Sequence, residues 1–100
     1  MINFLKNIFG GGEKVNLQEI IAKGALIIDV RTAKEFQSGH LKNSKNIPLD
    51  KLPESLSLLD KNKPVIVCCA SGARSASARR FMITNGFAEV YNGGSWANLQ

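Results

Sequence analysis

The 100-residue chain has one histidine, one tryptophan, one tyrosine and two cysteines, and those cysteines are adjacent at Cys68 and Cys69. A disulfide scaffold needs cysteines far apart in sequence, so this pair cannot staple a small secreted fold, and a reducing, cytoplasmic setting is the expectation. With His40 alone between Gly39 and Leu41, the usual histidine-rich metal spacings are missing; no metal or organic cofactor is implied. Long apolar runs are missing too. The longest, Ala25–Ile28 and Val65–Ala70, fall far short of the ~20 residues that a helical membrane span requires. Acidic residues are in deficit, 8 against 13 Lys and Arg for a net charge of +5, which favours anions near the surface. The basic residues are scattered apart from Arg79-Arg80, so no nucleic-acid stripe forms. No internal repeat is visible.

What is present fits one domain. Residues 1–14 carry Ile2, Phe4, Leu5, Ile8 and Phe9 and end near Gly10-Gly11-Gly12; they read as a flexible tail or a short docking helix plus linker, without the features of a signal peptide. The domain is expected over 15–100. Asn16 with Glu19, and Thr32 with Glu35, are capping-box patterns that predict helices starting at about 17 and 33, the second running to about Ser38. Ala25–Val30 and Val65–Cys69 are apolar runs suited to strands covered on both faces, and Asn46–Leu49 is a weaker extended piece. Leu52, Leu56 and Leu59 share a helical face, with Pro53 tolerable in the first turn. A helix is expected from Ser75 to Asn85-Gly86 with Ala78, Phe81, Met82 and Ile83 inward, then a strand over Phe87–Tyr91, a Gly93-Gly94 turn and a final helix from Ser95. Strands alternating with helices imply an α/β fold with a central, mostly parallel sheet of about four to five strands. Ligands of such sheets sit beyond the carboxyl ends of the strands, and the most apolar strand ends at Cys69.

The segment Cys69-Ala70-Ser71-Gly72-Ala73-Arg74-Ser75 joins that strand to a helix start. Small side chains at 70–73 let the loop curl with its N–H groups inward, and Gly72 permits a positive φ. The helix N-terminus and Arg74 add positive charge, which makes the loop a cradle for an anion. A thiol held there is expected to lose its proton more readily, because the donors that bind an oxyanion also stabilise a thiolate. At the ordinary pKa of about 8.5 only a few per cent of a thiol is ionised at pH 7, so this depression makes Cys69 a nucleophile without a general base. Cys68, one step earlier on the strand, points to the opposite face and reads as core. Asp29 and Arg31 read as a structural ion pair at a strand end, and His40 as a structural hydrogen bond.

These residues resemble the active loop of the rhodanese family of single-domain sulfurtransferases, Cys-x-x-Gly-x-Arg-Ser, which is matched at every fixed position. Asp29-Val30-Arg31 with Glu35, Gly39-His40-Leu41, Asn46-Ile47-Pro48, Gly86-Phe87 and Gly93-Gly94 with Trp96 extend the likeness in family order over about residues 15–100. The resemblance implies a rhodanese-like fold in which Cys69 is the catalytic, sulfur-accepting cysteine. By the same resemblance Ala70, Ser71, Gly72, Ala73, Arg74 and Ser75 are expected to bind the substrate, with Arg74 orienting an anionic donor. It further implies thiosulfate or a related small anionic donor and a cyanide or thiol acceptor that includes protein thiols; from the composition no nucleic-acid partner and no membrane span are expected, and the oligomeric state is left open with a monomer favoured. Two other readings are an interaction module that relays sulfur to a protein partner, and a phosphatase or arsenate reductase. In these last two families on the same scaffold the loop is one residue longer; the four residues between Cys69 and Arg74 suit sulfur better. Departures are Cys68 where the family often has an aromatic residue, Asn43-Ser44 where Gly-Ala is usual, and the lack of a longer segment after Trp96 to wall the pocket.

Overall fold

The computed structural model describes residues 15–100, so the tail assigned to 1–14 lies outside the described residues. Four strands, β1 (Leu26–Asp29), β2 (Lys45–Asn46), β3 (Val65–Cys69) and β4 (Val90–Ser95), form one sheet in the order β2-β1-β3-β4, with every pair parallel. Among the described residues four helices accompany them: α1 (Leu17–Ala22), α2 (Ala33–Gln37), α3 (Leu52–Ser55) and α4 (Ala73–Thr84). Among the described residues no helix is long and apolar enough to cross a membrane.

Strand alternation sorts the two central strands onto two cores. Ile28, Val65, Val67 and Cys69 face one side, where Leu52 and Leu56 and the α4 residues Ala78 and Met82 cover them. Ile27, Ile66 and Cys68 face the other, closed by Leu99 together with Leu17, Ile20 and Ile21 of α1. All five residues of β3 are buried, which is why the strand reads as a continuous apolar run.

Both expected N-caps form. Asn16 Oδ1 accepts the Glu19 N–H at 3.1 Å, and at Thr32 the full reciprocal box closes with Glu35. Four boundaries differ from the sequence expectation. The extended piece at 46–49 contracts to Lys45–Asn46, and Leu49–Lys51 is a 3-10 turn. The Leu52/Leu56/Leu59 face is carried by a one-turn helix followed by a second 3-10 turn, Leu56–Leu58, and Leu59 is already extended with ψ 147°. Helix α4 starts at Ala73, two residues before Ser75, because Gly72 serves as its N-cap with φ 109°, a conformation that a β-carbon penalises. The last strand is Val90–Ser95, with 3-10 residues Trp96–Leu99 after it. Phe87 instead folds back behind α4, its N–H bonded to Met82 O at 3.1 Å and its ring 3% exposed.

Gly93-Gly94 therefore lies inside β4. Pairing runs Val67 with Asn92 and then Cys69 with Ser95, so β4 holds one extra residue, a bulge beside the end of β3. Gly93 is required by contact: a β-carbon there meets Ile66 Cγ2 and Leu99 Cδ1 at 3.0 Å and Val67 O at 3.3 Å. Gly93→Ala is expected to cost roughly 1–3 kcal/mol, the usual penalty of overpacking, read as a lower denaturant midpoint with an unchanged slope.

Candidate active site

Cys69 is the last residue of β3, and the chain then turns through 70–72 so that the start of α4 faces the sulfur. The Gly72 N–H donates to Cys69 Sγ at 2.9 Å and the Ser75 N–H at 3.4 Å, while Ser75 Oγ lies 3.3 Å from it. Burial pushes the Cys69 thiol up; the Ser75 hydroxyl and the N–H groups of Ser75, Gly72 and Ser71 pull it down by more, leaving it below the ordinary thiol value. Cys68 has no such loop. Packed at 0% exposure among Ile27, Ile66 and Leu99, it is driven up to about 12 by burial and then by the Asp29 charge. Two neighbouring thiols on one strand thus receive opposite environments: alternation puts both in a core, on opposite faces, and only Cys69 meets the loop donors.

The rest of the predicted loop is arranged around that sulfur. Ala70, Ser71 and Ala73 are exposed, Gly72 and Arg74 half-buried and Ser75 fully buried. The Arg74 guanidinium does not hang free over the loop: its two terminal nitrogens grip Glu35 Oε1 and Oε2 at 2.7 and 3.0 Å. The positive charge at the first turn of α4 is therefore offset by a carboxylate from α2, and Arg74 still senses the charge of Cys69. The hydrogen bond from Arg74, then the Thr32 N–H, hold Glu35 down at about 2. A depressed carboxylate contributes its tie above its ordinary pKa and loses it as pH falls through the folded value, so the pair stays formed through mildly acidic solution and opens only near pH 2. In Arg74→Ala, the Glu35 side-chain carbon observed by NMR is expected to titrate closer to the ordinary carboxylate range, stopping short of it because Thr32 still donates.

Beneath the loop, Asp29 and Arg31 form the expected ion pair. Arg31 Nη2 meets Asp29 Oδ2 at 2.7 Å and Gly39 O at 2.7 Å, Nη1 donates to Glu35 O at 3.3 Å, and the guanidinium lies 4.9 Å from the Trp96 ring centre. His40 stacks on Phe36, with Nδ1 2.7 Å from Phe36 O. Arg79 Nε donates to Val90 O at 2.7 Å, which ties α4 to β4.

One contributor to the site carried no signal of its own in the sequence. Asn92, on β4, accepts from the Ser75 hydroxyl at 2.6 Å and donates through Nδ2 to Gly72 O at 3.2 Å. Gly94 N–H donates to the same Asn92 Oδ1 at 2.9 Å, so the bulge itself aims this side chain at the loop.

A loop of this geometry between a buried parallel strand and a helix coincides with a family match: the model of the rhodanese-like domain fits residues 14–97. The chain belongs to the rhodanese-like family. Members of this single-domain sulfurtransferase family act on sulfur donors and thiol acceptors. A thiosulfate sulfurtransferase GlpE of Stutzerimonas stutzeri is 36% identical over 69% of this chain and 63% of its own length. The GlpE of Pseudomonas savastanoi is 33% identical over 75% of this chain and 71% of its own. Among solved structures, a rhodanese-like domain protein of Staphylococcus aureus superposes with a TM-score of 0.69 at 34% identity, covering 76% of this chain and 74% of that one. A rhodanese with anions from E. coli gives 0.69 at 31%, covering 75% and 91%. The rhodanese-like fold accounts for the four-stranded parallel sheet and for the placement of Cys69 at its carboxyl edge.

Proposed function

We propose that this rhodanese-like domain moves sulfane sulfur from a small anionic donor such as thiosulfate to a thiol or cyanide, with Cys69 carrying the sulfur between the two halves of the reaction. The Cys69 thiolate attacks the outer sulfur of thiosulfate; the new Sγ–S bond forms as the donor S–S bond breaks, and sulfite leaves with the bonding pair. An acceptor thiolate or cyanide then attacks the outer sulfur and Sγ departs as thiolate. The loop amides of 70–73 and the N-terminus of α4 receive the negative charge on donor and persulfide, and Arg74, fixed at the loop shoulder by its ion pair with Glu35, orients the donor. Ser75 serves the sulfur through both its N–H and its hydroxyl.

The observation that carries this reading is the Gly72 N–H aimed at Cys69 Sγ from 2.9 Å in a loop of four residues between Cys69 and Arg74. The names of the GlpE relatives support thiosulfate as the donor to try first. Intact mass after thiosulfate treatment tests it: the protein is expected to gain one sulfur atom and lose it on adding cyanide. An unchanged mass, or turnover of a phosphate ester in its place, would reject it.

A further inference from the structure

The Ser75 hydroxyl has one proton and three neighbours able to take it: Cys69 Sγ at 3.3 Å, Asn92 Oδ1 at 2.6 Å and Gly72 O at 3.1 Å. Gly72 O already accepts the Ala76 N–H at 3.0 Å and Asn92 Nδ2 at 3.2 Å, which fills its two lone pairs. The contest is between the sulfur and Asn92. The Asn92 amide cannot turn over to become a donor toward Ser75. Flipping it would set its NH2 against the Gly94 N–H and its oxygen against Gly72 O, replacing two hydrogen bonds with two repulsions. Toward Ser75, Asn92 is thus fixed as an acceptor.

We propose that Asn92 is a positioning residue for the sulfur chemistry, acting through Ser75: it holds the hydroxyl proton while Cys69 is a thiol and gives it up when the thiolate forms. In the thiol state the chain runs from Cys69 S–H to Ser75 Oγ and from Ser75 O–H to Asn92 Oδ1. Loss of the thiol proton turns the hydroxyl to the sulfur, and Asn92 Oδ1 keeps the Gly94 N–H, so the rotation strands no acceptor. Once the outer sulfur is attached, the charge moves to that atom and Sγ becomes a poor acceptor, so the hydroxyl returns to Asn92. One proton is thereby shifted toward the sulfur in the reactive state and away from it in the loaded state. The other charged or titratable groups that act at this position are Arg74 with its partner Glu35, Cys68 on the same strand, and Asp29 through Arg74. None of them belongs to β4.

This inference rests on the thiolate reading of Cys69. It is tested by the pH dependence of Cys69 alkylation with iodoacetamide in a Cys68→Ala background, where Cys69 is the sole thiol. Asn92→Ala and Asn92→Leu both remove the 2.6 Å acceptor and leave only the Gly72 carbonyl, at 3.1 Å, to compete with the sulfur for the Ser75 proton; the side chain is exposed enough for the fold to survive either change. Both are expected to alkylate about threefold to tenfold faster than the parent at a pH below the midpoint, the effect of losing one hydrogen bond that stabilises the thiol form. In Ser75→Ala the same Asn92 substitutions are expected to change nothing. A residue that merely braced the loop would loosen its donors and slow alkylation. Slower or unaltered rates, an acceleration that persists without the Ser75 hydroxyl, or loss of fold in both variants would overturn the proposal. A parent midpoint at the ordinary thiol value would instead reject the thiolate reading, and this inference with it.

Discussion

A Cys69→Ser variant is expected to keep its fold and lose sulfur transfer from thiosulfate to cyanide by roughly a thousandfold or more, because no other group near the loop can hold the transferred atom. The serine hydroxyl is close in size, and the Gly72 and Ser75 N–H groups that now face sulfur can donate to oxygen. It does not ionise near neutral pH and so supplies no nucleophile. The neighbouring thiol cannot take over: Cys68 is fully buried on the opposite face of the sheet and held in its protonated form by its surroundings. Intact mass after thiosulfate treatment separates the two cysteines, with Cys69→Ser remaining unmodified and Cys68→Ala gaining one sulfur atom. Transfer retained in Cys69→Ser would remove that residue from the reaction.

The second large effect lies below the loop. Asp29→Ala is expected to destabilise the domain by roughly 3–5 kcal/mol, the scale for removing one partner of a buried ion pair. Arg31 is 5% exposed, and its raised pKa is owed first to the hydrogen bonds it donates to Asp29. Without that carboxylate a guanidinium stays charged among Trp96, Gly39 O and Glu35 O with its main counter-charge gone. The loss extends to the site, since Arg31 links Asp29 at the end of β1 to the helix carrying Glu35, and Glu35 in turn holds Arg74. Urea unfolding measures the first effect. A loss below about 1 kcal/mol would mean that water reaches Arg31 and replaces Asp29 as its partner.

Local rules recovered the parts of this molecule that are local. Five buried residues in a row at Val65–Cys69 declare a strand covered on both faces, and the small residues after it declare a loop. Thr32 and Glu35 fix the start of α2 within three residues of one another, so that boundary was legible. Where tertiary contacts decide, the sequence was mute. Phe87 reads as a strand residue by composition, yet it caps α4 in the core. Gly93-Gly94 reads as a turn, yet Gly93 is there to let β4 pass against Ile66 and Leu99, and Gly94 takes a φ of +71° beside it at the bulge. The site divides in the same way. Cys69, Gly72 and Ser75 meet across three to six residues, whereas Arg74 reaches Glu35 across 39 positions and Ser75 reaches Asn92 across 17. A charge at a helix start signals that some anion must face it, which Arg74 satisfies with Glu35; an asparagine in a strand carries no such signal.

The central claim is that the loop donors outweigh burial at Cys69 and hold its thiol below the ordinary value. The measurement that tests it most directly is the rate of iodoacetamide alkylation of native Cys68→Ala protein as a function of pH. The expected midpoint lies clearly below the value of about 8.5 for a free cysteine and rises toward it in Ser75→Ala. A midpoint at or above 8.5 in the folded protein would contradict the account.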